Sequence, residues 1–143
     1  MQFTTRVCTW QEAEQPLRAI RTQVFIQEQK VPKALEWDGE DVHAVHALAS
    51  DTNNLAIGTA RLLLQETLAH IGRMAVLPEW RGQGVGSALL DLMLTTAQAR
   101  GANLAFLNAQ TRAVGFYVHA GFVAEGEEFL DAGIPHLRMT RRL

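Results

Sequence analysis

The stretch "AHIGRMAVLPEWRGQGVGSALLDLMLTTAQARG", residues 69–101, changes its hydrophobic period in mid-course. "AHIGRMAVL" reads as a strand stopped by Pro78, and three glycines follow at 82, 84 and 86. From Val85 the positions Ala88, Leu89, Leu92, Thr96 and Ala99 keep the helical period, with Gly101 placed as the C-terminal cap. A strand that turns through glycines straight into a helix restricts the chain to folds in which the two elements interleave.

The remaining sequence has the same character. "MQFTTRVCTW" alternates like a short strand, and "WQEAEQPLRAIRTQVFIQEQ" places Leu17, Ile20, Val24 and Phe25 at helical spacing. "EWDGED" is a turn-rich acidic loop; "VHAVHALAS" and "LAIGTARLLL" read as strands around the hairpin signal "DTNN". With "AHIGRMAVL" they predict an antiparallel meander. After the glycine helix come a buried strand "ANLAFLNAQ", a short helix "TRAVGFYVHAG" ending at Gly121, and a terminal strand "HLRMTRRL". Residues 1–143 form one domain on this reading, since that length encloses one core and no linker or repeat divides it.

Nearly half the residues are apolar (48%), a fifth are charged, and the net charge is −2, which argues against disorder and against nucleic acid as a partner. The single cysteine, Cys8, cannot form an internal disulfide and reads as a buried strand thiol. No export signal and no run of roughly 18 apolar residues is visible, so a cytoplasmic protein with no membrane partner is expected.

Glycines between strand and helix let the backbone turn tightly, and the first helical N–H groups have no partner within the helix. Such an end suits phosphate, with Arg81 as an adjacent cation; the spacing alone equally allows a turn that merely needs glycine geometry. A nucleotide P-loop needs Lys-Ser/Thr after its last glycine, whereas Gly86 is followed by "SALL". A dinucleotide turn fails too. Its third glycine would fall on Ser87 or Leu89, and no acid lies about 20 residues on.

"MAVLPEWRGQGVGSALL", followed by "LNAQ" and "FYVHAGF", resembles the GNAT superfamily of acyl-CoA-dependent N-acyltransferases. Its signature of Arg or Gln, two residues, Gly, one residue, Gly or Ala is filled by Arg81, Gly84 and Gly86. "VFIQEQKVP", "EWDGEDVHAVH", "LNAQ" and "GIPHLRM" extend the resemblance over nearly the whole chain, to the ElaA-like and YjcF-like branch. It implies an α+β domain with a mixed, mostly antiparallel twisted sheet flanked by helices, whose "MAV" and "LAFLNA" strands splay apart to admit acetyl-CoA. By the same resemblance Met74, Ala75 and Val76 hold the pantetheine arm through their main chain. The amides of Arg81, Gly82, Gln83, Gly84, Val85, Gly86 and Ser87 cradle the pyrophosphate. Asn108 either contacts this donor or caps the following helix. An edge-strand homodimer accords with family habit.

The implied reaction is acetyl transfer to a primary amine in a ternary complex, without metal; the alternative is a non-catalytic acyl-CoA sensor. Tyr117, the only tyrosine, matches the family's general acid, although residues alone would make it a packing aromatic. The base is open among Glu28, His43, His46, His70 and His136. In a strand His43 and His46 point to opposite faces, which argues against a shared metal or catalytic site. His70 stands near a position where several family members carry a glutamate; Glu28 and His136 belong to the branch pattern and are expected to line the acceptor side. Glu36, Asp38, Glu40 and Asp41 read as a solvated loop, the alternative being attraction of a cationic amine.

Overall fold

The computed structural model describes residues 2–143. The elements, in chain order, are β1 (Phe3–Cys8), α1 (Trp10–Arg21) running into a π-helical segment (Thr22–Glu28), and a single-turn α2 (Lys33–Glu36). The meander β2 (Val45–Asp51), β3 (Ala56–Gln65) and β4 (Leu68–Val76) follows, then α3 (Val85–Ala99), β5 (Leu104–Gln110), α4 (Val114–His119), β6 (Val123–Asp131) and β7 (Ile134–Arg142). They build one seven-stranded sheet in the order β1-β2-β3-β4-β5-β7-β6. Among the described residues only β4 and β5 pair in parallel, and α3 makes the crossover between them. The expected α+β class and mixed, mostly antiparallel sheet are thus present.

Strand alternation sorts the core into two layers. Ala47 and Ala49 of β2 pack in one cluster with Leu89, Leu90 and Met93 of α3. Leu48, between them in sequence, packs on the other face with Trp10, Ala13 and Leu17 of α1. The start of α1 is fixed by a reciprocal cap: the Thr9 hydroxyl accepts from the Glu12 amide (3.2 Å) and the Glu12 carboxylate from the Thr9 amide (2.9 Å).

Three readings change. The hairpin strand β6 was not expected; it is exposed along its whole length, so no buried alternation marks it. His43 lies in a 3-10 turn (Asp41–His43) rather than in a strand, so the opposite-faces argument has no strand to rest on; His46 is fully buried against Trp10. The acidic loop is not simply solvated either, since Glu36 and Asp41 are buried in ion pairs.

Candidate active site

The meander and the crossover leave a gap in the middle of the sheet. β4 pairs with β5 only at Leu68–His70 against Leu104–Phe106. Beyond His70 the register with β3 slips between Thr59 and Arg61, and Arg73 takes a left-handed conformation (φ 49°), rare for a residue with a Cβ. Such a bulge bends its strand. The divergence opens a cleft of about 570 Å³ lined by His70–Val76 of β4, by Leu107, Asn108 and Gln110 of β5, and by Tyr117. Backbone groups of β4 facing this gap have no strand partner and need one from elsewhere.

At the end of β4 the chain passes through Arg81–Gly84 into α3. Gly82 and Gly84 are both left-handed (φ 74° and 87°), and a Cβ on either would meet open space. Gly84 is the N-cap and offers no side-chain bond; the first turn contains no acid. The Ala88 amide is bonded to the Gly84 carbonyl, so Val85, Gly86 and Ser87 are the first-turn amides left without a helical acceptor. An open, uncapped, acid-free helix start of this kind fits a diphosphate.

The Arg81 side chain is committed elsewhere. Its Nε donates to the Val76 carbonyl (3.0 Å), while both terminal nitrogens donate to the Glu28 carboxylate (2.8 and 2.7 Å). Those bonds hold the Glu28 carboxyl below its ordinary value. Glu28 is therefore an ion-pair partner of the glycine turn and does not line the cleft, although its neighbour Gln29 does. Gln83 donates from its side chain to the Glu79 carbonyl (3.0 Å).

Tyr117 lies on α4, 9% exposed, with its ring edge-on to Phe116 and Phe122 (centroids at 5.0 and 6.0 Å). Burial pushes its phenol up to about 12. Asn108 is exposed on the cleft wall, and the turn that follows begins from Gln110, so Asn108 caps nothing. Gln110 donates to the Gln29 side chain (2.8 Å) and accepts from Arg112 Nε (3.0 Å), bridging the two sides of the cleft.

Both cleft histidines stack on phenylalanines. His70 lies on Phe106 (4.4 Å, 13° between planes). Burial holds it below the ordinary imidazole value, helped by the charges of Arg61, Arg138 and Arg73, so it is neutral at pH 7. His136 stacks on Phe129 (5.9 Å), and its Nδ1 lies 2.7 Å from the Ile134 carbonyl. A contact with a carbonyl requires Nδ1–H, leaving Nε2 of the neutral ring as an acceptor.

Sequence reading missed the partners of the acidic loop. Arg21 is wholly buried at the end of α1 and donates to Glu36 (2.7 Å) and Asp41 (2.6 Å). Arg61 reaches Asp38 (2.9 Å) and Asp41 (3.3 Å); Arg73 reaches Glu36 (3.2 Å) and Asp38 (3.3 Å). Burial alone would raise the Asp38 carboxyl, but bonds from Arg61 and the Glu40 amide, with the charges of Arg61 and Arg73, bring it down to about 2. One signal was available: Arg21 follows Trp10, Ala13, Leu17 and Ile20 on an otherwise apolar helical stripe.

Comparison with known proteins decides the family. The model of the acetyltransferase (GNAT) domain matches residues 7–143. This chain belongs to the GNAT acetyltransferase family. Within it, the chain is 37% identical over 123 residues to the uncharacterised N-acetyltransferase YjcF of Bacillus subtilis (strain 168), covering 85% of this chain and 87% of that one. Among GNAT-fold structures, Escherichia coli ElaA superposes with a TM-score of 0.87 at 27% identity over 98% of this chain and 99% of its own. An acyl-CoA N-acyltransferase from Pseudomonas aeruginosa gives 0.82 at 32% identity, over 98% of each chain. The chain is thus a GNAT acyl-CoA N-acyltransferase, with an acyl-CoA donor and an amine acceptor. No helix among the described residues is long and apolar enough to cross a membrane.

Proposed function

We propose that this enzyme moves an acetyl group from acetyl-CoA directly to a primary amine, with both substrates in the cleft at once. The observation that carries the reading is the pairing of β4 with β5, which ends at His70 and Phe106 and leaves the rest of β4, to Val76, unpaired on that side as it leads into the glycine turn that opens α3. A donor with a diphosphate at one end and amides along its arm suits those two features. The amides of Arg81–Ser87 take the diphosphate, and main-chain groups of Met74, Ala75 and Val76 take the arm, with Asn108 on the opposite wall. The Arg81 side chain acts through Glu28, fixing the turn rather than touching phosphate.

Attack by the amine nitrogen forms the N–C bond, and collapse breaks C–S. A β4 backbone N–H facing the gap is suited to the oxyanion. Tyr117 holds a proton at Oη for the departing sulfur. The amine must also lose one, since an alkylammonium of pKa about 10.4 is neutral in only about one molecule in a few thousand at pH 7. Two of the cleft groups able to receive it are His70 and His136. Acetyl as the acyl group, direct attack and these residue roles form one reading.

Its test is calorimetric titration with acetyl-CoA, CoA and NAD as ligands, followed by thiol release with an amine panel. Acetyl-CoA is expected to bind, NAD is not, and Gly84→Asp should abolish binding by setting a Cβ and a negative charge in the phosphate cradle. Unchanged affinity in that variant overturns the cradle. Binding with no turnover on any amine would favour an acyl-CoA sensor.

A further inference from the structure

The acidic loop invites the expectation of a cationic acceptor, and the ion pairs reverse it. Glu28 is taken by Arg81, Glu36 by Arg21 and Arg73, Asp38 by Arg61 and Arg73, and Asp41 by Arg21 and Arg61. Arginines thereby cancel the charge of these carboxylates, and of the acidic loop the exposed Glu40 alone is left without an ion pair among the described residues. The exposed cations of the same rim have no such partner among the described residues: Lys30 and Lys33 flank the cleft-lining Val31 and Leu35 and form no salt bridge. Opposing them, Asp131 is the cleft-lining carboxylate that makes no ion pair.

One further cation is oriented. In β5 the side chains of Ala105, Leu107 and Ala109 pack in the core with α3, so Phe106, Asn108 and Gln110 project from the opposite face. Arg138 stands across from Asn108, and His70 from Phe106, so they share that face. The Arg138 guanidinium rests 4.3 Å from the Phe106 centroid, and that ring stacks on His70. A guanidinium held on an aromatic plate keeps its fork of donors for a planar anion. Arg18, Arg21, Arg61, Arg73 and Arg81 each have a carboxylate, whereas Arg138, like the cleft-lining Arg112 whose Nε is bonded to Gln110, forms no salt bridge among the described residues.

We propose that the acceptor is a small primary amine that also carries an anion, a carboxylate or a phosphate, and that Arg138 reads that anion beside His70. This rests on the acetyl-transfer reading above. The lysines of the rim raise the local concentration of such a ligand, and Arg138 fixes its orientation. Polyamines, which suit an acidic mouth, are disfavoured.

The experiment compares acceptors in matched pairs on the intact enzyme: L-amino acids against their carboxamides, and phosphoethanolamine against ethanolamine, with spermidine as the polycation. Chemistry alone favours the carboxamide, because removing the carboxylate makes the amine less basic and leaves more of it unprotonated. The proposal expects kcat/KM about tenfold or more higher for the anionic member of at least one pair, the size of a charge-assisted bond. Which pair shows it distinguishes carboxylate from phosphate. Arg138→Gln should pull that ratio down about tenfold, and Arg138→Lys should restore part of it. Preference for spermidine or the neutral members, or a ratio unchanged in Arg138→Gln, overturns the proposal. The wild-type ratio needs no variant, so an unstable Arg138→Gln leaves it decisive. If acetyl-CoA binds and no anionic amine is consumed, only the acceptor class fails; if acetyl-CoA does not bind, the acetyl-transfer reading fails with it.

Discussion

At the scale of single residues, Tyr117 carries the sharpest tension. Burial that pushes its phenol up to about 12 keeps the proton in place at neutral pH but also weakens it as a donor. A thiolate expelled against the same buried ring is disfavoured as well, and burial raises a thiol as it raises a phenol. The gap between donor and acceptor is therefore narrower than solution values imply. Tyr117→Phe is expected to lower turnover by about a hundredfold or more, the usual worth of a general acid, with acetyl-CoA affinity nearly unchanged by calorimetry. Undiminished turnover would leave Tyr117 as a spacer between Phe116 and Phe122. The position of the glycines at the start of α3 was legible in the sequence because the motif is local, and Tyr117 was placed by the family resemblance; it lines the cleft. The commitment of Arg81 to Glu28, 53 residues away, was not.

Among elements, the fit of α3 against the sheet decides where the glycine turn sits. A Cβ on Gly58 of β3 would lie 3.0 Å from Leu89 Cδ1, 3.1 Å from Val85 Cγ1 and 3.1 Å from the Ala75 carbonyl oxygen. The leucine can rotate but the carbonyl belongs to β4. Gly58→Ala should cost about 1–3 kcal/mol, typical of overpacking, read as a lower denaturant midpoint with an unchanged slope. Strands β2 to β5 and helix α3 were legible because one or both faces are buried and the apolar period survives. Exposed β6 has no period to read. The helix expected from Trp10 through the "VFIQEQ" run is kinked at Ala13 (φ −137°, ψ 27°), three residues before Pro16, and passes into a π-helical turn at Thr22; the spacing showed neither, since Val24 and Phe25 fit a helix of either pitch. The acidic loop misled for a different reason: its carboxylates find arginines 15 to 37 residues distant, a separation that leaves no local pattern.

For the whole molecule, the buried charges set the response to acid. Asp38 and Asp41 have folded pKa values below the ordinary carboxylate range, so their contribution to stability is complete above about pH 4 and is lost as pH falls toward 2. His46 is buried with its imidazole held below the ordinary value by burial, and Nε2 set against the Asp41 carbonyl (3.0 Å). The unfolded chain protonates first, so stability starts to fall as pH drops below about 6.5. Thermal melts across pH should be flat near 7 to 8, decline gently below 6.5 and steeply below 4; His70 is held low in the same way, so His46→Gln should shallow the gentle limb and His46→Gln with His70→Gln should lose it. A melting temperature that rose on acidification would contradict the pairing. The sheet itself has a mechanical consequence. β4 and β5 meet along one short seam, Leu68–His70 with Leu104–Phe106, and Gln29 and Gln110 tie the far end by their side chains. Two stiff plates joined in that way bend most easily by widening or narrowing the gap between them. Whatever lodges there acts as a feeler gauge, and the reach from one wall to the other is set by its thickness.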